Sequence, residues 1–292
     1  MTRKIDVLCI GAIQSDLLGI APDRIEAGDD VPGSIKSTVG GVAYRVAKAL
    51  QNNGCRSALF SVVGEDTSGA WLRKQATESG LSACEFLTAQ ECSSGAYLAI
   101  EAGQELVAAV ADCRAIELCG RELLELAAAR FPASRFSKGA RRIVVDTNLL
   151  PGHLSQVAGG ELYGDAKVSV VVASNHKLDG VRAFAGRSQT VIYLNLAEAN
   201  RLIPGTSRLH SAVDAAASLC KLGYERVVVT NGARTAADCN SDGPVSVTPK
   251  PALSMQATGA GDRLAACHIA RTIAGDKRGD ALLAACGLAV RD

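Results

Sequence analysis

Five residues near the C-terminus carry the pattern most suited to chemistry: Thr258-Gly259-Ala260-Gly261-Asp262. Two glycines around one alanine let the backbone turn tightly and come close to a ligand. The next stretch, 262–273, carries Ala266, Ile269, Ala270 and Ile273 at helical spacing, so the glycines fall at a predicted helix N-terminus. Free backbone N–H groups and the positive end of the helix dipole meet there, which suits a phosphate. An Asp at that point can take the proton of an attacking hydroxyl. Anion hole and base together equip a site for phosphoryl transfer. The competing reading is an ordinary helix start with an Asp matched to the dipole. The sequence has no G-x-x-x-x-G-K-[ST] and no nicotinamide-type G-x-G-x-x-G, which argues against a P-loop enzyme and a NAD-linked dehydrogenase.

Three further constellations lie upstream. Gly40-Gly41 opens a predicted helix over 42–53, with Val42, Val46, Ala49 and Leu50 on one face and a stop at Gly54. Asn195-Leu196-Ala197-Glu198 follows a β-branched run at 190–194, and Thr230-Asn231-Gly232 follows another at 226–230. Read alone, the first of these two is also a helix start with an acidic first turn, and the second is also a plain strand exit. Asp16 stands just past the first predicted strand, where it is either a turn residue or a carboxylate able to accept two hydroxyl hydrogen bonds.

Taken in order and spacing, these four segments resemble the signatures of the ribokinase-like (PfkB-type) carbohydrate kinases, and the resemblance runs over nearly the whole chain. It implies Asp262 as general base, with Gly259, Ala260 and Gly261 offering N–H groups to the transferred phosphoryl. It implies that Thr258, Thr230 and Gly232 face the nucleotide, and that Asn195 and Glu198 hold a hydrated Mg²⁺. At the acceptor it implies Asp16, Gly40, Gly41 and the position of Arg45. The stretch Glu105-Leu-Val-Ala-Ala-Val-Ala-Asp112-Cys113 is most similar to the pseudouridine kinases of this family, which makes Asp112 a second acceptor contact. The cofactors implied are ATP and Mg²⁺, with K⁺ as a further monovalent cation. The sequence also departs from the family. Gln14 and Arg45 stand where Asn is usual, Ala43 where Gly is usual, and Arg263 and Leu264 follow Asp262 in place of Ala and Phe. A long cation at position 45 changes the volume and the charge of the acceptor pocket together. The C-terminal end is short of a segment that in relatives helps to line the nucleotide and cation sites.

The elements that must position these groups alternate. Strands are expected at 7–13, 58–63, 143–147, 168–173, 190–194 and 226–230, several as continuous apolar runs of the kind a doubly covered parallel sheet needs. Helices are expected at 42–53, 68–79, 121–131, 178–185, 210–222, 262–273 and 280–290. This predicts an α/β fold, a doubly wound and mostly parallel sheet flanked by helices, in one domain over 1–292. Two stretches break the alternation: 17–39, rich in Gly, Pro and Asp, and a hairpin within 96–111. The resemblance makes them a small β-sheet lid over the acceptor, with a homodimer contact through the lid in some relatives.

Hydrophobic residues make up 48% of the 292-residue chain, enough for a large core. A net charge of +1 without a basic block, and only 4% aromatics, argue against nucleic acid as a partner. No apolar run reaches the length of a membrane span. Ten scattered cysteines without metal spacing or a signal peptide lead to the expectation of a reducing, cytoplasmic setting, and the four histidines show no metal spacing. The expected activity is ATP-dependent phosphorylation of a primary hydroxyl, pseudouridine to its 5′-phosphate first, ribose or another sugar or nucleoside second. A non-catalytic sugar- or nucleotide-binding relative is the alternative from another class.

Overall fold

A computed structural model describes residues 4–26, 28–103, 105–137, 141–205, 208–249 and 259–288. Strands β1 (Val7–Ile10) and β4 (Ser57–Gly64) are buried at every position. Apolar on both faces, they are suited to the middle of a sheet covered twice. With β5 (Ala83–Ala89), β8 (Arg142–Asp146), β9 (Lys167–Val171), β10 (Thr190–Asn195), β11 (Arg226–Thr230), β12 (Ala236–Asn240) and β13 (Gly243–Val247) they form a nine-stranded sheet ordered β13-β12-β11-β10-β9-β8-β1-β4-β5. From β11 to β5 the pairings are parallel, and β12 and β13 add an antiparallel edge.

Two apolar layers cover this sheet. On one face, residues of α1 (Val42–Asn52), α2 (Thr67–Glu78), α7 (Ala260–Ala274) and α8 (Arg278–Leu288) pack together, with Val46, Leu50, Leu72, Ala266 and Leu282 in the cluster. On the other, α3 (Arg114–Arg130), α4 (Pro151–Gly159), α5 (Leu196–Leu202) and α6 (Ala212–Lys221) contribute Leu123, Leu154, Leu202 and Leu219. This is a doubly wound α/β arrangement with a smaller separate sheet, β3-β2-β6-β7, built from β2 (Gln14–Ala21), β3 (Ser34–Gly40), β6 (Ala96–Ala102) and β7 (Glu105–Asp112).

The strand β5 and the antiparallel edge β12–β13 were not expected. The stretch 17–39, which breaks the alternation and which the resemblance assigned to a small β-sheet, holds most of β2 and β3, which pair antiparallel from Gln14↔Gly40 to Ile20↔Ser34. Their Gly, Ser and Lys content hides strands that gain order from pairing across a long connection rather than from propensity. α4 was not expected; its signal is Pro151 in the first helical turn. The helix expected at 178–185 is a short 3₁₀ segment, Asp179–Phe184. α3 begins at Arg114 rather than at 121.

Candidate active site

In the parallel sheet, β1 and β8 are neighbours, and the strand order departs from that pair in opposite directions. A crevice opens beyond strand C-termini at such a switch point. Asp146, the last residue of β8, closes its floor. The carboxylate is fully buried and accepts hydrogen bonds from the backbone N–H groups of Ala12, Ala43 and Asn148 at 2.8, 2.9 and 2.9 Å. It thereby ties the end of β1 and the start of α1 to β8. Burial raises its pKa, against the pull of those three donors.

Above this floor lies a cavity of about 410 Å³, within the usual size range for a small-molecule site. Three groups of elements meet in it. From the second sheet comes Asp16, buried on β2, with Oδ1 accepting from Gln14 Nε2 at 3.2 Å and Oδ2 accepting from Arg45 Nη2. A Cβ at position 40 would overlap the Asp16 carboxylate, so Gly40 allows the backbone of β3 to lie against it, while Gly41 lines the cavity and begins α1. Burial is the largest influence on the Asp16 pKa and raises it; the Arg45 charge opposes.

From the start of α7 come Gly259, Gly261 and Asp262. Gly259 is the N-cap with φ 81°, in the left-handed region, and as a glycine it has no side chain with which to cap this helix. Among the described residues no side chain caps the first-turn N–H groups, which have no intrahelical partner either. A Cβ on Gly261 would meet nothing within 4 Å, so that backbone faces open space. Asp262 is the third helical residue and is buried. Burial raises its pKa to about 6; Arg45 pulls it down and the Asp146 charge pushes it up. Arg45 Nη1 lies 3.7 Å from Asp262 Oδ2.

From the large sheet come Asn195, Glu198 and Thr230. Asn195 Oδ1 accepts from Glu198 N at 2.9 Å, and Glu198 Oε2 accepts from Asn195 N at 2.8 Å, a reciprocal capping box at the start of α5. The local reading of this motif is thus present, on residues that also line the cavity. Burial raises the Glu198 carboxyl to about 7, opposed by the Asn195 hydrogen bonds and reinforced by Asp262.

Other residues singled out in the sequence lie elsewhere. Asp112 is not among the lining residues: its carboxylate turns to Arg114, at 2.6 Å from Nη2 and 3.0 Å from Nε, and this pairing holds its pKa down. The structure thus does not bring the Asp112 carboxylate to the cavity, which its neighbour Ala111 lines. Gly232, with φ 56°, and Ala260 also lie off the lining. Thr258 falls outside the described residues. Lys177 and Asn148 are among the lining residues that sequence reasoning missed. Lys177 Nζ donates to Asn148 Oδ1 at 3.0 Å and stands 3.5 Å from Glu117, and both Lys177 and Asn148 line the cavity. The position of Asn148 just beyond β8 at the switch point was the available signal.

Comparison with known proteins agrees with this geometry. The family described as pfkB family carbohydrate kinase matches residues 4–290. Pseudouridine kinase of Escherichia coli K12 is 34% identical over 110 residues, which are 37% of this chain and 35% of that protein, so the chain spans about a third of the length of that relative. Among solved structures, a carbohydrate kinase from Agrobacterium tumefaciens superposes with a TM-score of 0.79 at 24% identity, covering 98% of this chain and 89% of that one. The ribokinase of Giardia lamblia gives 0.80 at 17%, covering 98% and 92%. At these identities the structural likeness shows the fold.

Proposed function

Because this chain belongs to the pfkB family of carbohydrate kinases, we propose that it transfers the γ-phosphoryl group of ATP to a primary hydroxyl of a small sugar or nucleoside. One observation carries the reading: a buried carboxylate, Asp262, in the first turn of a helix whose N-cap is a glycine, on a cavity it shares with Asp16. In the step proposed, Asp262 takes the proton of the acceptor hydroxyl. The hydroxyl oxygen bonds to the γ-phosphorus, the bridging P–O bond breaks, and its electron pair leaves on ADP. N–H groups of the α7 turn receive the charge on the phosphoryl oxygens. A pKa near 6 leaves Asp262 ionised at neutral pH and more basic than an ordinary Asp. Asp16 would bind acceptor hydroxyls, with Gly40 and Gly41 letting the backbone approach, and Thr230 would face the nucleotide.

A metal ion fits this site in one form only. Among the described residues there is no cluster of three or more His, Cys, Asp or Glu able to hold one, which argues against an all-protein cage. Glu198, half of whose hydrogen bonding is committed to Asn195, suits a hydrated Mg²⁺ carried mainly by nucleotide phosphates. When bound, that ion would screen phosphate charge.

Pseudouridine is the first acceptor to test, supported by the partial match to pseudouridine kinase and by the hairpin β6–β7 that carries the resembling segment. Ribose and other nucleosides come second. The second sheet is read as a lid. Its outer face exposes Ile35 and Val110 at 79% and 69%, which supports a homodimer through that face, to be checked by light scattering. All ten cysteines are free, in keeping with a cytoplasmic setting. The deciding experiment is acceptor-dependent ADP release over ribose, fructose, adenosine, uridine and pseudouridine, with Mg²⁺ and with or without K⁺. MgATP binding without turnover of any of them would favour a non-catalytic binding protein.

A further inference from the structure

Arg45 has no part in the reaction as written, yet it stands at the centre of the site. It projects from the first turn of α1, and its guanidinium lies between two carboxylates. It donates to Asp16 and stops 3.7 Å short of Asp262, beyond hydrogen-bond distance. A guanidinium has five N–H donors, and among the described residues one side chain, Asp16, lies at hydrogen-bond distance from this one. Its stem runs along the α7 start: a Cβ on Gly259 would lie 3.4 Å from Arg45 Cδ and 3.6 Å from Nη1. A quarter of the side chain is exposed, on the cavity.

Three roles fit an arginine. A purely structural ion pair would hold both carboxylates at hydrogen-bond distance; this one bonds Asp16 and pairs with Asp262 only at 3.7 Å. An anchor for an anionic acceptor would draw a third negative charge beside Asp16 and Asp262, the two carboxylates that Arg45 already faces. The remaining role follows from the proton. While Asp262 is ionised, Arg45 balances it. Once Asp262 has accepted the acceptor's proton it is neutral, and Arg45 loses its partner just as negative charge gathers on the phosphoryl group beside it. The charge around the guanidinium then stays constant if a phosphoryl oxygen replaces the Asp262 carboxylate.

We propose that Arg45 is a catalytic cation, holding Asp16 through one N–H and donating another to an oxygen of the phosphoryl group in transfer. This rests on the kinase reading above. It also gives a neutral acceptor as the better substrate, since the cation is already matched.

The test uses the full chain and needs no acceptor. Calorimetry gives the affinity for MgADP and for MgADP with aluminium fluoride, a mimic of the transferring phosphoryl, in the wild type, Arg45→Gln and Arg45→Asn. Both variants should bind MgADP within about threefold of wild type and lose roughly 10²-fold or more on the aluminium fluoride complex, as for a removed transition-state donor. Two polar replacements guard against one failing to fold. If either folded variant binds the fluoride complex as the wild type does, Arg45 does not touch the phosphoryl. A changed acceptor KM with unchanged fluoride affinity would make it a specificity residue and overturn the proposal. If the wild type binds MgADP but gains nothing from fluoride, this inference fails while ADP release still judges the kinase reading. If the wild type does not bind MgADP, both fall.

Discussion

Two helices, α5 and α7, start on the same cavity, and each carries an acid as its third residue: Glu198 and Asp262. At α5 the acid is long, the N-cap is Asn195, and the two satisfy each other's backbone N–H groups. At α7 the N-cap is a left-handed glycine without a side chain, and the acid is one methylene shorter. Its carboxylate faces Arg45 instead of its own helix start. One helix thus closes its N-terminus with its own side chains, and the other has an N-cap that offers its N–H groups no side-chain acceptor. Sequence position alone does not distinguish the two carboxylates; the identity of the N-cap does, because only a side-chain cap supplies the acceptor that orphan N–H groups need.

The sharpest way to break this contrast is Asp262→Asn. It keeps the shape and removes the base, so kcat should fall by roughly 10²–10⁴-fold while nucleotide affinity survives. Steady-state kinetics within a few fold of wild type would make Asp262 a helix-start residue like Glu198. Next comes Gly261→Ala. Among the described residues nothing opposes the added methyl, and alanine favours the helix, so stability should rise by up to about 1 kcal/mol. The methyl would stand where phosphoryl oxygens approach, and kcat should drop about tenfold or more. The matching exchange at the second position of α5, Ala197→Gly, should cost up to about 1 kcal/mol and leave kcat alone. Melting curves beside kinetics decide; parallel changes in both would sink the distinction.

A smaller effect is expected for Glu198→Gln. The amide oxygen can still accept from Asn195 N, so α5 should stay capped. The Mg²⁺ concentration for half-maximal rate should rise a few fold, because an anionic anchor is lost. An unchanged Mg²⁺ titration would confine Glu198 to capping.

The smallest and most diagnostic effect is on pH. Folding raises Asp262 from 3.8 to about 6 and Glu198 from 4.5 to about 7. Between those values the folded chain keeps protons that the unfolded chain has released. The unfolded state binds fewer, so their contribution to stability falls as pH rises through that window. Activity moves the other way, with kcat rising as Asp262 ionises near pH 6. Glu198→Gln removes one of these penalties, so its melting temperature should gain on the wild type between about pH 5 and about pH 8. A difference that stays constant across the range would place the Glu198 titration near its ordinary value.

Much of this molecule is legible along the chain. The parallel strands read as apolar runs because burial on both faces leaves no room for polar alternation. The α7 start reads from Gly259 and Gly261, and the hairpin β6–β7 from alternation around Ala102-Gly103, because turns and helix starts depend on residues within a few positions. The same local rules missed β2, β3, β5, β12, β13 and α4, and nothing local showed that the Asp112 carboxylate, read from the resemblance, turns to Arg114. Tertiary structure alone decided the rest. The crossovers bring Asp16, Arg45 and Asp262 together from β2, α1 and α7, and set Lys177 on Asn148. Burial then moves the carboxyls of Asp262 and Glu198 toward neutrality. The types of these residues are written in the sequence, but their distances and desolvation depend on packing between distant segments, and no local pattern encodes those.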